Sequence, residues 1–133
     1  MDLNSALQKH TAWKHKFLTS LRSNEKLDVP SISKDTICEL GNWLNGKGRK
    51  LYAKYDSYAR CVVDHAAFHV EAGRIATAAN ANRLPEAQRL IAPGSTFDTL
   101  SKKVSLLIVE LKNEAGIEED GGKFVADFPP TTK

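Results

Sequence analysis

Three long segments of the chain place their apolar residues three or four positions apart, which is the spacing of an amphipathic helix. These segments cover residues 3–21, 51–76 and 97–111. Ser95, just before the last segment, is a suitable N-cap, and Gly116 follows it as a helix stop. The pattern therefore predicts a long helix in each segment, with its apolar face turned toward a common core.

The chain between the first two of these segments is less regular. Residues 23–33 lose the period and are interpreted as a loop. A short helix then follows, with Ser33 or Asp35 as its cap, and this helix carries Cys38. Gly46 and Gly48 are expected to end the helix and allow a tight reversal.

The links between the helices are short, so the sequence predicts an all-α fold: an antiparallel four-helix bundle with an additional short helix that carries the cysteine. A further short helix is predicted for residues 85–91. Residues 1–116 are interpreted as one domain. Residues 117–133 contain Gly, Pro and acidic residues without any period, so they are predicted to be a flexible tail.

Composition narrows the class of protein. A chain of 133 residues with 41% hydrophobic and 26% charged residues has the balance of one globular domain. Its net charge of +3 comes from 19 basic and 16 acidic residues spread along the chain, without the basic stripe that binds nucleic acid. The most apolar stretch, residues 104–109, is too short to cross a bilayer. We therefore expect no nucleic-acid partner and no membrane partner.

Cys38 and Cys61 are the two cysteines of the chain. Two cysteines do not make a disulfide framework, and the amino terminus shows no basic-then-apolar signal pattern. We therefore expect a cytoplasmic protein with both thiols reduced, because a reducing compartment keeps cysteines in that form. Both side chains are then free for metal or redox chemistry.

Histidines stand inside two of the predicted apolar stripes. His65 and His69 are four residues apart, so their rings project from one face of a helix and can reach the same cation. His10 lies in the first stripe, and Cys38 lies on the short helix. Burial of these polar groups without partners would cost about 1 to 3 kcal/mol each. A zinc ion held by the cysteine and the three histidines would remove that cost.

Simpler interpretations stand beside the zinc site. A single histidine on an apolar face is more often a hydrogen-bonded core residue than a ligand, and a buried cysteine is by default a small hydrophobe. Asp35, one turn before Cys38, either caps the short helix or accepts a proton from a histidine, and capping is the favoured interpretation. Trp43, on the same short helix, is a further candidate for the surroundings of the site.

Cys61 competes with Cys38 for the role of sulfur ligand. It stands four residues before His65, so Cys61, His65 and His69 can also reach one metal ion. The periodicity places Val62 rather than Cys61 in the central seam, which ranks Cys61 second. Cys61 stays a candidate for a second redox thiol.

Three short segments carry a resemblance to a known family: HTAWK at residues 10–14, CELGNWL at 38–44 and HAAFH at 65–69. In order and spacing they resemble the signatures of the chemoreceptor zinc-binding domain family, known as CZB, and the similarity spans residues 3–115. The resemblance implies a helical bundle in which zinc is held by three histidines and one cysteine. The matching residues here are His10, Cys38, His65 and His69.

The resemblance also implies a function. CZB domains are attached to cytosolic chemoreceptors and to diguanylate cyclases, or occur alone, so we expect a non-enzymatic domain of bacterial signal transduction in chemotaxis or cyclic-di-GMP signalling. The implied signals are zinc and oxidants such as hypochlorous acid, sensed through the zinc-bound cysteine, and a homodimer is a further implication. The alternative is a helical-bundle metalloenzyme with a three-histidine site. A haem or diiron bundle ranks last because the chain lacks Glu-x-x-His spacing.

Overall fold

The structure, a computed structural model, describes residues 3–23 and 25–116. These residues form seven helices and no strand, which confirms the predicted all-α class. The helices are α1 (Leu3–Arg22), α2 (Val29–Ser33), α3 (Glu39–Asn45), α4 (Lys47–Tyr52), α5 (Asp56–Asn80), α6 (Leu84–Leu90) and α7 (Thr96–Ala115). The predicted flexible tail, residues 117–133, lies outside the described part of the chain.

The long helices α5 and α7 pack against each other in opposite directions. Ser57, at the start of α5, donates a hydrogen bond to the carboxylate of Glu114, near the end of α7. Further along, the ring of Phe68 stacks on that of Phe97, at the start of α7, with 4.9 Å between the ring centroids. The order of these pairs makes the two helices antiparallel, as predicted.

The third long helix, α1, completes the bundle. Its contacts with α7 run from His10 and Ser101 to Phe17 and Phe97, so this pair of helices is antiparallel too. Burial of one large apolar side chain stabilises the fold by about 1.5 to 3 kcal/mol, so the shared core fixes the helices that carry the histidines. The fully buried apolar side chains include Leu3, Phe68, Ile75, Phe97, Val104, Ile108 and Leu111.

Both ends of α7 agree with the sequence prediction. The hydroxyl of Ser95 accepts a hydrogen bond from the backbone N–H of Asp98 at 3.2 Å, which satisfies one of the free donors at the helix start. Gly116 ends the helix with a φ of 65°, the left-handed conformation that glycine adopts most readily.

Helix α2 lies in the segment that was predicted to be a loop, so the prediction was wrong for residues 29–33. Its N-cap is Asp28, whose carboxylate accepts hydrogen bonds from the backbone N–H and the hydroxyl of Ser31. Pro30 stands in the first turn, where a helix does not need the missing N–H. The proline that suggested a break therefore marks a helix start.

Two contacts hold α2 against α5. The side chain of Asn80 accepts a hydrogen bond from the backbone N–H of Leu27 at 2.9 Å and donates one to its carbonyl at 2.8 Å. Gly73 permits the close approach of Ser33, because a Cβ at residue 73 would lie 2.0 Å from the serine hydroxyl oxygen. The end of α2 is thus brought to the face of α5 that carries the histidines.

Helix α3 begins directly after Cys38, which is its N-cap. The cysteine sulfur accepts a hydrogen bond from the backbone N–H of Gly41 at 3.3 Å. The predicted caps, Ser33 and Asp35, were therefore wrong, because residues 34–38 form turns and bends rather than helix. Cys38 lies at the boundary between a turn and a helix, not inside a helix.

The predicted helix over residues 51–76 is divided in the structure. Leu51 lies on α4 with half of its surface exposed, and Tyr55 separates α4 from α5 as the N-cap of α5. From Tyr58 to Ala76 the predicted seam is largely buried, as the periodicity indicated. The long helix therefore starts later than predicted, but its core-facing side is the expected one.

The membrane prediction concerns residues 104–109, which lie in α7. Val104, Leu107 and Ile108 are buried in the bundle, so the apolar character of this stretch is explained by the core. Within residues 3–23 and 25–116, no helix has both the length and the apolar character that spanning a membrane requires.

Candidate metal centre

Three of the predicted ligands converge between α5 and the turn before α3. The ligand atoms of Cys38, His65 and His69 all lie within 4.8 Å of one another. The Cys38 Sγ is 3.3 Å from His65 Nε2 and 3.4 Å from His69 Nε2. Both histidines are buried and the cysteine is partly buried, so the cluster lies at the edge of the core.

The geometry of this cluster fits zinc. Zinc bonds of about 2.3 Å to sulfur and about 2.0 Å to nitrogen, at tetrahedral angles, place the two ligand atoms about 3.5 Å apart. The two distances from the cysteine sulfur are close to that value. Nε2 of His65 is the nitrogen that faces the sulfur, and Nδ1 of the same ring is buried without a hydrogen-bond partner among the described residues. Thiolate and imidazole are also the donors that zinc prefers.

His69 is oriented by the end of α2. Its Nδ1 lies 2.9 Å from the carbonyl oxygen of Ile32, so the Nδ1–H donates a hydrogen bond to this oxygen. The Nε2 lone pair is then directed at the cluster, which is the usual way in which a backbone carbonyl fixes a metal-binding histidine. The ring of Trp13 packs edge-on against His69 with 4.6 Å between centroids and restricts its rotation.

Cys38 is placed by a close backbone contact around Gly41. Its sulfur lies 3.8 Å from the carbonyl oxygen of Asp35 and accepts the hydrogen bond from the Gly41 N–H. A Cβ at residue 41 would lie 1.4 Å from the same Asp35 oxygen and 3.1 Å from the ring of His65. Only glycine allows the turn, the start of α3 and the histidine to approach one another here.

His10 lies beside the cluster and is not part of the group of ligand atoms. The side chain is 3% exposed, and its Nε2 lies 3.3 Å from the hydroxyl oxygen of Ser101 on α7. Its ring centroid is 6.5 Å from that of His65 and 4.8 Å from that of Phe68. The structure therefore brings three predicted ligands together and places the fourth in the adjacent layer.

The favoured interpretation of Asp35 as a helix cap was wrong, because Cys38 occupies that position. The backbone carbonyl oxygen of Asp35 instead lies 3.8 Å from the Cys38 sulfur, and the charge of its side chain acts on Cys38 and His69. Burial is the main cause that raises the pKa of the Cys38 thiol, and the charge of Asp35 adds to this effect. The same charge raises the pKa of His69, although burial outweighs it and lowers the pKa overall.

Trp43 is buried and packs between α3 and α4. Its ring is 5.9 Å from that of Tyr52, measured between centroids, and the Cβ that Gly48 lacks would lie 2.9 Å from it. Its Nε1 has no hydrogen-bond partner among the described residues. These contacts give Trp43 a packing role between α3 and α4.

Cys61 is fully buried, and Val62 is only partly buried, so the placement of Val62 in the central seam was wrong. Burial raises the pKa of the Cys61 thiol to about 12, with a smaller contribution from the charge of Asp64. A thiol in this environment is almost entirely protonated at neutral pH and has little nucleophilic character. Cys61 is also absent from the group of converging ligand atoms in the described residues.

The histidines of the centre are kept neutral by burial. Burial lowers the pKa of His10 to about 4 and that of His65 to about 3, and it also lowers the pKa of His69. Neighbouring imidazoles lower the pKa of His65 further, because two positive rings would repel each other. At neutral pH all three rings therefore offer lone pairs to a metal, whereas the thiol of Cys38 must lose its proton on binding.

Several groups around the centre were not predicted from the sequence. Trp13 follows His10 by three residues in the same apolar stripe, so its proximity to the site could have been inferred from the helical period. The carbonyl of Ile32 and the hydroxyl of Ser101 have no comparable signal. Their contacts with His69 and His10 depend on how α2 and α7 pack, which is decided by the tertiary structure.

The fold and the site together define a helical-bundle protein with a cysteine and histidine metal centre. Residues 10–76 match the family model described as the chemoreceptor zinc-binding domain. The chain belongs to this family, whose members are signalling sensor domains. No curated protein and no solved structure matches the chain.

The family match covers all four predicted ligands, from His10 to His69. The matched segment also contains α2, α3 and α4, and Cys38 lies between the first two of these helices. The family resemblance inferred from the three short motifs is therefore confirmed. The family and the observed cluster agree on the cofactor, which is zinc.

Gly41→Ala should weaken both the fold and the metal site, because its Cβ would collide with the Asp35 backbone. We expect a loss of about 1 to 3 kcal/mol in the free energy of unfolding and a lower zinc affinity, measured by urea unfolding and chelator competition. Asn42→Ala is the matched control on the same helix, since its side chain is exposed, and should change stability by less than about 0.5 kcal/mol. Equal results for the two variants would contradict the proposed close contact.

The metal-free protein should lose stability as the pH falls from 6.5 toward 4. His10 and His65 have lowered pKa values in the folded state, about 4 and 3, against an ordinary value of 6.5. The unfolded chain therefore binds protons first, so the stability is complete above pH 6.5 and decreases below it. One pKa unit corresponds to about 1.4 kcal/mol, and the two rings together should cost several kcal/mol.

Urea unfolding of the chelator-treated protein between pH 7.5 and 4.5 measures this effect. The exposed His15 supplies the control, because His15→Ala should show the same pH dependence as the unmodified protein. An unfolding free energy that stays constant between pH 7 and 5 would show that burial does not lower the pKa values of these rings.

Proposed function

We propose that the chain is a zinc-binding sensory or regulatory domain of bacterial signal transduction, acting in chemotaxis or in cyclic-di-GMP signalling. The observation that carries this proposal is the Cys38, His65 and His69 cluster within a chemoreceptor zinc-binding domain. In this proposal residues 1–116 are the zinc-binding domain, and the location is cytoplasmic. The signal passes to a chemoreceptor, a diguanylate cyclase or another signalling protein, with two copies of the domain paired as a homodimer.

The proposed ligand set is completed by His10. This residue is buried next to His65, carries a neutral ring at physiological pH and lies in the matched family segment. A set of one cysteine and three histidines fills all four positions of a tetrahedral zinc ion. A closed site of this kind is typical of structural and regulatory zinc, since a catalytic site keeps one position for water.

Cys38 is the element of the site that is suited to switching. It lies in a turn between the short helices α2 and α3, and it is the only member of the cluster that is not fully buried. When bound, zinc keeps the sulfur in its reactive thiolate form. Hypochlorous acid then converts the thiolate to a sulfenic acid: the sulfur gains the OH group and is oxidised, and the chlorine leaves as chloride.

Loss of the thiolate would release the turn that carries Cys38 from the histidines on α5. The sulfur also accepts the hydrogen bond from the Gly41 N–H, which joins the turn to the first residues of α3. Cys38 is only partly buried and packs against the core from outside, so in this proposal the core that the long helices share stays in place when the cysteine leaves. A local opening of this segment is therefore the conformational change that we propose as the output.

The second candidate function is a metalloenzyme with a three-histidine site. It requires that Cys38 stays unbound, so that His10, His65 and His69 hold the metal and leave a position open for water. The distances favour the sensor, because the cysteine sulfur is within 3.4 Å of both histidine Nε2 atoms, whereas His10 lies outside the group.

Cys38→Ala should reduce zinc retention strongly, whereas Cys61→Ala should retain zinc like the unmodified protein. The first variant removes the only thiolate ligand, and the second changes a buried thiol outside the site. Metal content of protein purified without added metal, measured by elemental analysis, tests both variants. Equal retention in the two variants would overturn the ligand assignment.

Cobalt substitution separates the sensor from the enzyme in the same preparation. Thiolate charge-transfer absorption together with tetrahedral cobalt bands supports the four-ligand site. A five-coordinate spectrum without the thiolate band would support the metalloenzyme instead.

One equivalent of hypochlorous acid should release zinc from the protein and open the turn that carries Cys38. A colorimetric chelator measures the release, and hydrogen exchange should show faster exchange in residues 34–46 than in the core of α5. Cys61→Ala is the matched control and should release zinc to the same extent, because Cys61 is buried and protonated. Retention of zinc with Cys38 found as sulfenic or sulfinic acid by mass spectrometry would refute the oxidant switch.

A further inference from the structure

The contact between His10 and Ser101 is a buried polar link between the first and last helices of the bundle. His10 is 3% exposed and Ser101 is 5% exposed, and their side chains meet at 3.3 Å although the residues are 91 positions apart. Around them the neighbours are largely apolar, with Phe68 4.8 Å from His10 by ring centroids. A polar pair in this environment is retained only if each partner satisfies the other.

We propose that Ser101 is the exchange partner of His10: Nε2 of His10 either is held by the Ser101 hydroxyl or binds the metal. The proposal rests on the assignment of His10 as the fourth ligand. In a neutral imidazole, Nε2 carries either a proton or a lone pair. In the first tautomer it donates to the Ser101 hydroxyl and in the second it accepts from it, so the contact occupies this nitrogen in both cases. The same atom therefore cannot serve Ser101 and the metal at once, so metal capture through Nε2 of His10 requires that the Ser101 contact is given up.

The exchange requires a new partner for the Ser101 hydroxyl when His10 leaves it. Ser101 is 5% exposed and lines a cleft between α1 and α7 that is open to solvent, so in the proposed exchange a water molecule of the cleft replaces His10 as the partner of its hydroxyl. The exchange would then remove the buried polar link between α1 and α7 and replace it with a link between α1 and the centre on α5. The cleft is lined by Thr11, Lys14, Ser101, Lys102, Ser105 and Leu106.

The proposal has an unusual consequence for a serine near a metal site. Ser101→Ala removes the partner of His10 in the metal-free protein and leaves the buried ring nitrogen unsatisfied, but it removes nothing from the metal-bound protein. The metal-free state is therefore destabilised alone, and zinc binding becomes tighter. From the net contribution of one hydrogen bond, we expect the apparent Kd for zinc to fall by about three- to tenfold.

Chelator competition for zinc and urea unfolding, each with and without the metal, test this proposal. Ser101→Ala should lower the Kd, lower the unfolding midpoint of the metal-free protein and leave that of the zinc-loaded protein unchanged. Ser105→Ala, one turn further along α7 in the same cleft, is the matched control and should change none of these values. In a His10→Ala background, Ser101→Ala should have no effect on the Kd.

The results distinguish the exchange from the ligand assignment on which it depends. If His10→Ala leaves the Kd unchanged, His10 is not a ligand and the proposed four-ligand set fails. If His10→Ala weakens binding but Ser101→Ala leaves the Kd unchanged or raises it, the ligand set stands and the exchange is wrong. In that second case Ser101 orients His10, and the metal binds its other nitrogen.

Discussion

The burial of imidazole rings in an apolar bundle is the constraint on which this structure depends. Exclusion of water keeps the rings of His10, His65 and His69 neutral, and neutral rings have lone pairs that need partners. The bundle provides such partners for His69 and His10, through a carbonyl on α2 and a hydroxyl on α7. It provides none among the described residues for Nδ1 of His65. The other ring nitrogen of His65, Nε2, faces the sulfur of Cys38 together with Nε2 of His69, and a cation that binds nitrogen and sulfur would satisfy these three atoms at once.

The two halves of the centre differ in rigidity. His65 and His69 lie one turn apart on a helix of 25 residues that packs along α7, so their positions are fixed by the main core. Cys38 lies in a turn between two helices of five and seven residues, and its position depends on the close contact around Gly41. In the proposed switch, loss of the sulfur would therefore move the turn that carries Cys38 and leave α5 in place. In the proposed function, this asymmetry would let a single thiol control a conformational change without unfolding of the bundle.

The sequence predicted those parts of the structure that depend on helical periodicity. It did not predict those that depend on contacts between different segments of the backbone. The long helices, the end signals at Ser95 and Gly116, and the convergence of His65 and His69 all follow from spacing along the chain. The position of Cys38 as an N-cap could not be predicted, because sulfur is an unusual cap and the nearby Asp35 is the residue that normally takes that role. The partners of the histidines are likewise set by the packing of α2 and α7, which no local pattern records.

The contacts of the histidines connect the centre to almost every element of the bundle. His69 is tied to α2, His10 is tied to α7, and the cysteine is the first residue before α3, while the remaining histidine shares α5 with His69. A change in the bonding of any of these side chains therefore alters the attachment of a different helix. A catalytic site gains from the opposite arrangement, in which the ligands stay fixed while the substrate changes. The connection of the ligands to several different helices therefore supports the proposed sensor, in which a change at the metal centre would be passed to those helices.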